Sequence, residues 1–538
     1  MYLPKFALLG ALLVLGTACR GEMPALRPEP PTLRRLTNDQ FANTMRDLLG
    51  ADVVIPGQLD PDSRVAGLLN AGASLAAFSP RGTENIESFA YILAAQAMDP
   101  DRRDALLPCT PAGIVDPECS RAFIPQFGRR AWRRPLSTAE VDRMATLADT
   151  AANTLGDFHD GLEFAIAGLL QAPDFLYRVE LGADAEGALA RRFTDFELAS
   201  RLSYLVWNST PDDALLDAAE AGLLSTDDGL LAQVERLLAE PRAMAGLQAW
   251  FADMMHLADL PELYKEPSVF PHMSDTLPAA ARQEALRTFA WVAFDTDGDL
   301  RDLVSTRTTF VNRELAALYD LRAPVQDGFA AIQHPEDSMR RGLLGQVAFL
   351  GLNAHPVSSS ATLRGKFIRE VFLCAQLPGP PADADTSIPP VTETARTLRD
   401  RVQMHLTDPG CAGCHRNMDL VGLGLENFDG IARFRTTEEG APIDASGELD
   451  ELPFIDAAGL AEALHDHEDF GPCLVKSLVR YSNGYREQPA QFEALEHLAD
   501  LFAANGHRLE PLIVELTTSP VFLQAGTVDD GPIEESWE

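Results

Sequence analysis

The side chains best suited to chemistry in this 538-residue chain stand together in the run Cys411-Ala412-Gly413-Cys414-His415. Two thiols three residues apart, followed at once by an imidazole, share one helical turn. Each thiol can then add to one vinyl group of a porphyrin while the imidazole is aimed at the iron. With seven cysteines and eleven histidines in the chain, chance would supply such a run about 0.002 times, so the spacing carries information. The reading is one covalent haem c, held by Cys411 and Cys414 with His415 as proximal iron ligand. Two alternatives use the same atoms. A zinc ion would take Cys411, Cys414, His415 and His405, although tetrahedral zinc normally draws on two separated ligand pairs. A bare C-x-x-C redox pair would need a βαβ setting that this sequence lacks. The motif occurs once, which excludes a multihaem wire within the chain.

The ligand opposite His415 sets the function class. Met or His there makes an electron carrier, and an open position admits peroxide or oxygen. His405 lies six residues before Cys411, and Pro409-Gly410 between them let the chain fold back. Met418 lies three residues past His415 on the same helical side, so it reaches the other haem face only if the helix breaks. His355 is a more remote candidate. Glu426 reads as a helix cap or a partner of Arg433 or Arg435, ahead of a proton shuttle. Asp444 reads as a turn residue and Met254-Met255-His256 as core. No Ser-His-Asp signature, phosphate loop or EF-hand stands out, and no catalytic residue is assigned.

Haem of this type is attached outside the cytoplasm, and the N-terminus agrees. Lys5 precedes ten apolar residues, 6–15. That is too short to cross a bilayer, which takes roughly 20 residues, and is the length of a signal-peptide core. Gly16-Thr17-Ala18-Cys19 then resembles a bacterial lipobox with Gly16 in place of the usual Leu, Val or Ile. Cys19 is the expected lipidation site, with an ordinary cleaved signal as the alternative. No later stretch holds 18 consecutive apolar residues, so a lipid anchor is the only membrane attachment expected. Setting aside Cys19, Cys411 and Cys414 leaves an even four, enough for two disulfides in an oxidising compartment. Cys109 and Cys119 bracket a Pro-rich loop and form the local pair; Cys374 and Cys473 pair across the haem segment. The expected location is the cell envelope, at the outer membrane or facing the periplasm, and not the cytoplasm. The net charge of 44 − 80 = −36 repels phosphate backbones, so nucleic acid is not an expected partner; the acidity reads first as a solvated surface, and a basic redox protein is the partner that could use it.

The elements that must position the motif read as helices. Thr37 with Gln40, Ser137 with Glu140 and Thr194 with Glu197 are capping boxes. Leu198, Leu202, Leu205 and Val206 continue the last at helical spacing, and Pro278 opens an Ala-rich helix. Alternating patterns are few and short. The expected fold is all-α: a multi-unit helical protein with a C-terminal cytochrome c-like haem-binding segment. Its units are a signal peptide at 1–19, a flexible tether at 20–33, helical units at 34–105, 106–185 and 186–325, a haem-binding unit at 330–440, a C-terminal helical unit at 441–525 and an acidic tail at 526–538.

Several segments also resemble one family in order along the chain. Arg34-Arg35-Leu36-Thr37 with Arg46-Asp47-Leu48-Leu49-Gly50 comes first, then Ala131-Trp132-Arg133-Arg134-Pro135-Leu136. Asp174-Phe175-Leu176-Tyr177-Arg178-Val179-Glu180 and Glu197-Leu198-Ala199-Ser200-Arg201-Leu202-Ser203-Tyr204 come next. Leu363-Arg364-Gly365-Lys366-Phe367-Ile368-Arg369-Glu370 leads to the stretch 411–435, and Cys473-Leu474-Val475-Lys476 with Tyr481 and Arg486 closes the series. The whole resembles the planctomycete-type cytochrome c-linked proteins, large exported proteins built from five successive domains of unknown function. Ala361 and Leu420 stand where that family commonly has Pro, and Tyr485 precedes Arg486 where the family runs straight from Gly to Arg. The resemblance implies a haem segment and no substrate. The expected function is one-electron transfer at the envelope by a monohaem c-type cytochrome lipoprotein. A peroxidase-like haem oxidoreductase is the alternative, and an envelope or polysaccharide-binding protein with structural haem is a weaker one.

Overall fold

The computed structural model describes residue 28 and residues 32–183, 190–379, 389–407 and 411–526. The signal segment, Cys19, most of the tether and nearly all of the acidic tail lie outside the described residues. Helices dominate, and local chemistry starts them where expected. Thr37, Ser137 and Thr194 each accept from the amide three residues on, while Gln40, Glu140 and Glu197 reach back to the cap amide. These boxes open α1 (Asn38–Leu49), α2 (Thr138–Leu155) and α3 (Asp195–Val206). The helix Leu277–Ala290 has Pro278 in its first turn and runs on into a π-turn, Trp291–Asp295. No helix among the described residues is long and apolar enough to cross a membrane.

The all-α expectation is corrected by five two-stranded antiparallel pairs. β1 (Thr32–Arg35) pairs with β2 (Tyr177–Glu180), and β3 (Ala190–Arg192) pairs with β4 (Gln524–Gly526). The others join Thr308–Val311 to Ala330–Gln333, Thr437–Glu438 to Ala441–Pro442, and Gly447–Leu449 to Leu452–Phe454. Strands of two to four residues are too short to show a period of two, so the sequence pattern does not reveal them. The protein is helix-rich and mixed.

The expected cytochrome c-like unit is also corrected. The helices of that stretch are short: Val347–Leu352, α4 (Ala361–Phe367), α5 (Leu398–Thr407) and α6 (Ala412–Gly422). Their apolar side chains Phe367, Phe372, Val421, Leu425 and Phe428 belong to one large interior with Trp250, Phe289, Leu478 and Leu498. Most of its apolar side chains turn to its neighbours, only a four-residue cluster of Ala361, Leu398, Val402 and Leu423 is its own, and a cytochrome c-like unit is not evident. A second interior, built on Phe41, Phe123, Leu162 and Phe175, fills the N-terminal part.

Both expected disulfides are closed. Cys109–Cys119 and Cys374–Cys473 have Cα separations of 5.7 and 5.4 Å. The second spans 99 residues, a loop whose closure is worth roughly 4 kcal/mol in the chain-entropy account.

The two interiors meet at a buried ionic cluster. Glu180, at the end of β2, pairs with Arg178 and with Arg201 of α3, and Arg34 Nη1 stands 3.7 Å from the same carboxylate. All four side chains are at most 3% exposed. Arg34 also donates to the carbonyls of Tyr481 and Ser482 in α7 (Phe470–Asn483), and Arg201 to Asn483 Oδ1 at 2.7 Å. Arg201 lies between the Phe193 and Phe522 rings, 4.3 and 4.6 Å from their centroids. Burial alone would raise the Glu180 carboxyl, but the surrounding guanidiniums hold it down at about 2. Burial, with Arg178 beside it, pulls Arg34 down to about 9.

Removing the one anion would strand three buried cations, so Glu180→Gln should cost about 3–5 kcal/mol in denaturant unfolding. The carboxyl is harder to protonate in the folded protein than its ordinary 4.5. The pair's contribution is therefore fully present above pH 4.5 and is lost as pH falls from there toward 2. Acid titration of stability should be steeper between pH 4.5 and 2 in the wild type than in Glu180→Gln, which keeps only the slope of the other depressed carboxyls such as Glu140.

Candidate haem-attachment site

α6 carries the motif, and two glycines decide where it lies. A Cβ on Gly365 of α4 would sit 1.8 Å from the Met418 carbonyl oxygen, and one on Gly422 of α6 1.8 Å from that of Ala361. Only glycine permits α4 and α6 to cross backbone on backbone. α5 closes the third side through a small apolar cluster of Ala361, Leu398, Val402 and Leu423. Arg416 Nε donates to the Leu406 carbonyl at 3.1 Å, tying the end of α5 to α6. Arg369, just past α4, donates to the Asn417 carbonyl at 2.9 Å.

Cys411 is the residue before α6, and His415 N–H donates to its carbonyl at 3.1 Å, so the motif fills the first turn. Cys411 is exposed, Cys414 is half-buried, and neither is in a disulfide. A Cβ on Gly413, between the two cysteines in sequence, would meet nothing within 4 Å. His415 Nδ1 lies 2.9 Å from Asp419 Oδ2, one turn on. A carboxylate only accepts, so Nδ1 carries the proton and Nε2 presents its lone pair. Asp419 is fully buried, and its other oxygen accepts from Thr362 Oγ1 at 2.7 Å. A buried carboxylate fixing the tautomer and orientation of a ligating imidazole is the usual outer support of a metal-bound His. Sequence reasoning missed Asp419, although the i, i+4 spacing from His415 was its visible signal.

His405 on α5 is brought to the site. Its ring centroid lies 4.5 Å from that of His415 with planes tilted 45°, and its Nδ1 is buried without a partner among the described residues. The ligand atoms of His405, His415 and Asp419 all lie within 4.8 Å of one another. Neither thiol joins that group, so the four-ligand zinc set of Cys411, Cys414, His415 and His405 is not assembled. Met418 is buried at the crossing with α4. His355 stands elsewhere: its carbonyl accepts from Lys265 Nζ at 3.0 Å, and no contact among the described residues joins its ring to His415. Two thiols outside any disulfide on the first turn and an imidazole oriented through Nδ1 by Asp419 form a donor set that fits a covalent haem.

The neighbouring charges are structural. Glu426 is buried, accepts from Ser359 Oγ and Arg435 Nη2 at 2.7 and 2.9 Å, and has Arg364 Nη1 at 3.5 Å. Of the two arginines expected to pair with it, Arg435 does; Arg433 instead donates its backbone N–H to Asp429. Burial raises the Glu426 carboxyl even so. Arg364 donates to the carbonyls of Leu425, Phe428 and Asp429 at 2.7–2.9 Å, fixing the loop after α6. Asp444 accepts from Ser446 in a turn, and Met254 and Met255 are core.

Comparison with known proteins finds five family models in succession. They are described as protein of unknown function DUF1587 at residues 34–99, DUF1595 at 119–180, DUF1592 at 193–321, DUF1588 at 340–438 and DUF1585 at 451–522. The fourth, named PSCyt3, contains Cys411, Cys414 and His415, and the second interior's Phe41 and the cluster's Arg34 fall in the first. No curated protein and no solved structure matches the chain. From Arg34 to Phe522, then, the chain is built of five successive planctomycete cytochrome-type domains of unknown function.

Proposed function

We propose that this protein is an exported, lipid-anchored monohaem c-type cytochrome that passes single electrons at the cell envelope. The observation that carries the reading is the first turn of α6: two unpaired thiols and an imidazole held by buried Asp419. Cys411 and Cys414 would form the thioether links, and His415 Nε2 would bind the iron. Asp419 holds the Nδ1 proton and makes the imidazole a stronger donor. The haem, when bound, supplies one reversible electron.

His405, whose ring stands 4.5 Å from that of His415, would be the second residue to hold the iron, in preference to Met418, which is buried at the crossing with α4. Two closed disulfides support an oxidising compartment, and Cys19 supplies the anchor. The surplus of 36 negative charges suits a basic redox protein as partner, whose approach would be sensitive to salt.

Protein matured with a c-haem attachment system should keep its chromophore through acid–acetone extraction, one haem per chain. A colourless product with one zinc would overturn the proposal. Asp419→Asn should leave the haem attached and move its midpoint potential upward in voltammetry, because the imidazole loses its anionic support. His405→Ala should open the sixth position, giving rapid CO binding by the reduced protein where the wild type binds slowly. An unchanged spectrum and CO rate would remove His405 from the ligand set.

A further inference from the structure

A cavity of about 350 Å³ opens where segments distant in the sequence meet, and none of its lining residues belongs to the C-x-x-C-H site. Gly67, His256, Glu370, Cys374, Arg480 and Arg486 contribute to its wall. Junctions of this kind are where small-molecule sites concentrate. The unusual feature of this one is a disulfide in its wall. Cys374 is half-buried and lines the cavity, while its partner Cys473 is 1% exposed. Of the two cysteines only Cys374 lines the cavity, so a nucleophile entering there meets Cys374 first.

A guanidinium is fixed against that sulfur. Arg480 Nη1 lies 3.5 Å from Cys374 Sγ, and the rest of the group is held by Glu487 through bonds of 2.6 and 2.5 Å. A cation beside the attacked sulfur draws the anionic thiolate toward Cys374, and it stabilises the Cys374 thiolate when that sulfur leaves in the second step. The other disulfide is an internal control. Cys109 is half-buried and Cys119 is 3% exposed, so burial of the two bonds is alike. Cys119 and Cys473 each lie near the N-terminal end of a helix, so helix-end effects are alike too. Each half-buried sulfur lies beside its partner's carbonyl, Cys109 at 3.5 Å and Cys374 at 3.6 Å, but no basic side chain among the described residues hydrogen-bonds to the Cys109–Cys119 pair.

We propose that Cys374–Cys473 is a thiol–disulfide exchange site whose substrate is a small dithiol, or a small monothiol in a half-reaction, entering this cavity. The substrate thiolate attacks Cys374 Sγ, the S–S bond breaks, and its electron pair leaves on Cys473 Sγ. A mixed disulfide now joins the substrate to Cys374. The second substrate thiolate attacks its own bonded sulfur, and the pair leaves on Cys374 Sγ beside Arg480. The dithiol ends as a cyclic disulfide and the protein as two thiols, so two electrons and two protons have passed from substrate to protein. The reaction is independent of the haem reading.

The test uses the full chain in native buffer with dithiothreitol, then with 2-mercaptoethanol, quenched by an alkylating agent and mapped by peptide mass. Cys374 and Cys473 should become labelled about tenfold faster than Cys109 and Cys119. The monothiol adduct should appear on Cys374 alone, with the circular dichroism unchanged. Arg480→Gln should slow the first pair to the rate of the second, and Arg480→Lys should recover part of the difference. Equal rates for the two wild-type disulfides, or an adduct on Cys473, would overturn the proposal, and that comparison decides alone if the variants do not fold. A folded Arg480→Gln protein exchanging at the wild-type rate would overturn it as well.

Discussion

Three guanidiniums sharing one buried carboxylate set the condition that the rest of the molecule must satisfy. Even with Arg34 pulled down to about 9, the buried guanidiniums stay charged at neutral pH, so Arg34, Arg178 and Arg201 are tolerable in the interior only with Glu180 and a set of carbonyl acceptors in place. Those partners come from distant parts of the chain. The β1–β2 pair puts Arg34 and Arg178 opposite each other in register. α3 supplies Arg201, and the C-terminal turn of α7 supplies the carbonyls of Tyr481 and Ser482 and the Asn483 amide. No part of this cluster is satisfied until all of it is assembled. The N-terminal interior is thus fastened to the large one by charge that has nowhere else to go, and not by apolar area alone.

That constraint also explains what the sequence conceals. Helix starts are legible because a capping box needs only four consecutive residues, and Thr37, Ser137 and Thr194 all form theirs. The cysteine pairs are legible from parity and compartment, since burial and oxidation leave few other uses for four thiols. The strands are not legible, because β1 is completed by residues near 180 and β3 by residues near 525. Nor is the burial of Arg34, which by composition alone belongs on the surface. At the site, the spacing of Cys411, Cys414 and His415 is plain in the sequence, whereas Asp419 escapes notice although it stands one helical turn away. The cytochrome c-like expectation fails for a related reason. A short motif specifies one turn of helix, and the apolar residues around it answer to a core that spans several segments.

The position of α6 reflects the same shared core. It rests on α4 through Gly365 and Gly422, and α4 runs directly into the π-turn Ile368–Phe372. A π-turn inserts an extra residue into the helical ladder and rotates the residues beyond it, a device that recurs at functional sites. Here it lets neighbouring side chains serve different walls. Arg369 turns to the Asn417 carbonyl of α6 and to Asp450, while Glu370 and Val371 line the cavity that Cys374 closes three residues later. The motif turn and the disulfide cavity therefore hang from one short segment, with Phe367, Ile368 and Phe372 anchoring it in the large interior. A motif held this way sits at the rim of a broad scaffold rather than inside a small domain. Its exposed Cys411 and the open space at Gly413 face outward, while its orienting carboxylate is rooted in the interior. That division sets a rigid buried support, Asp419, beneath a reachable edge at Cys411.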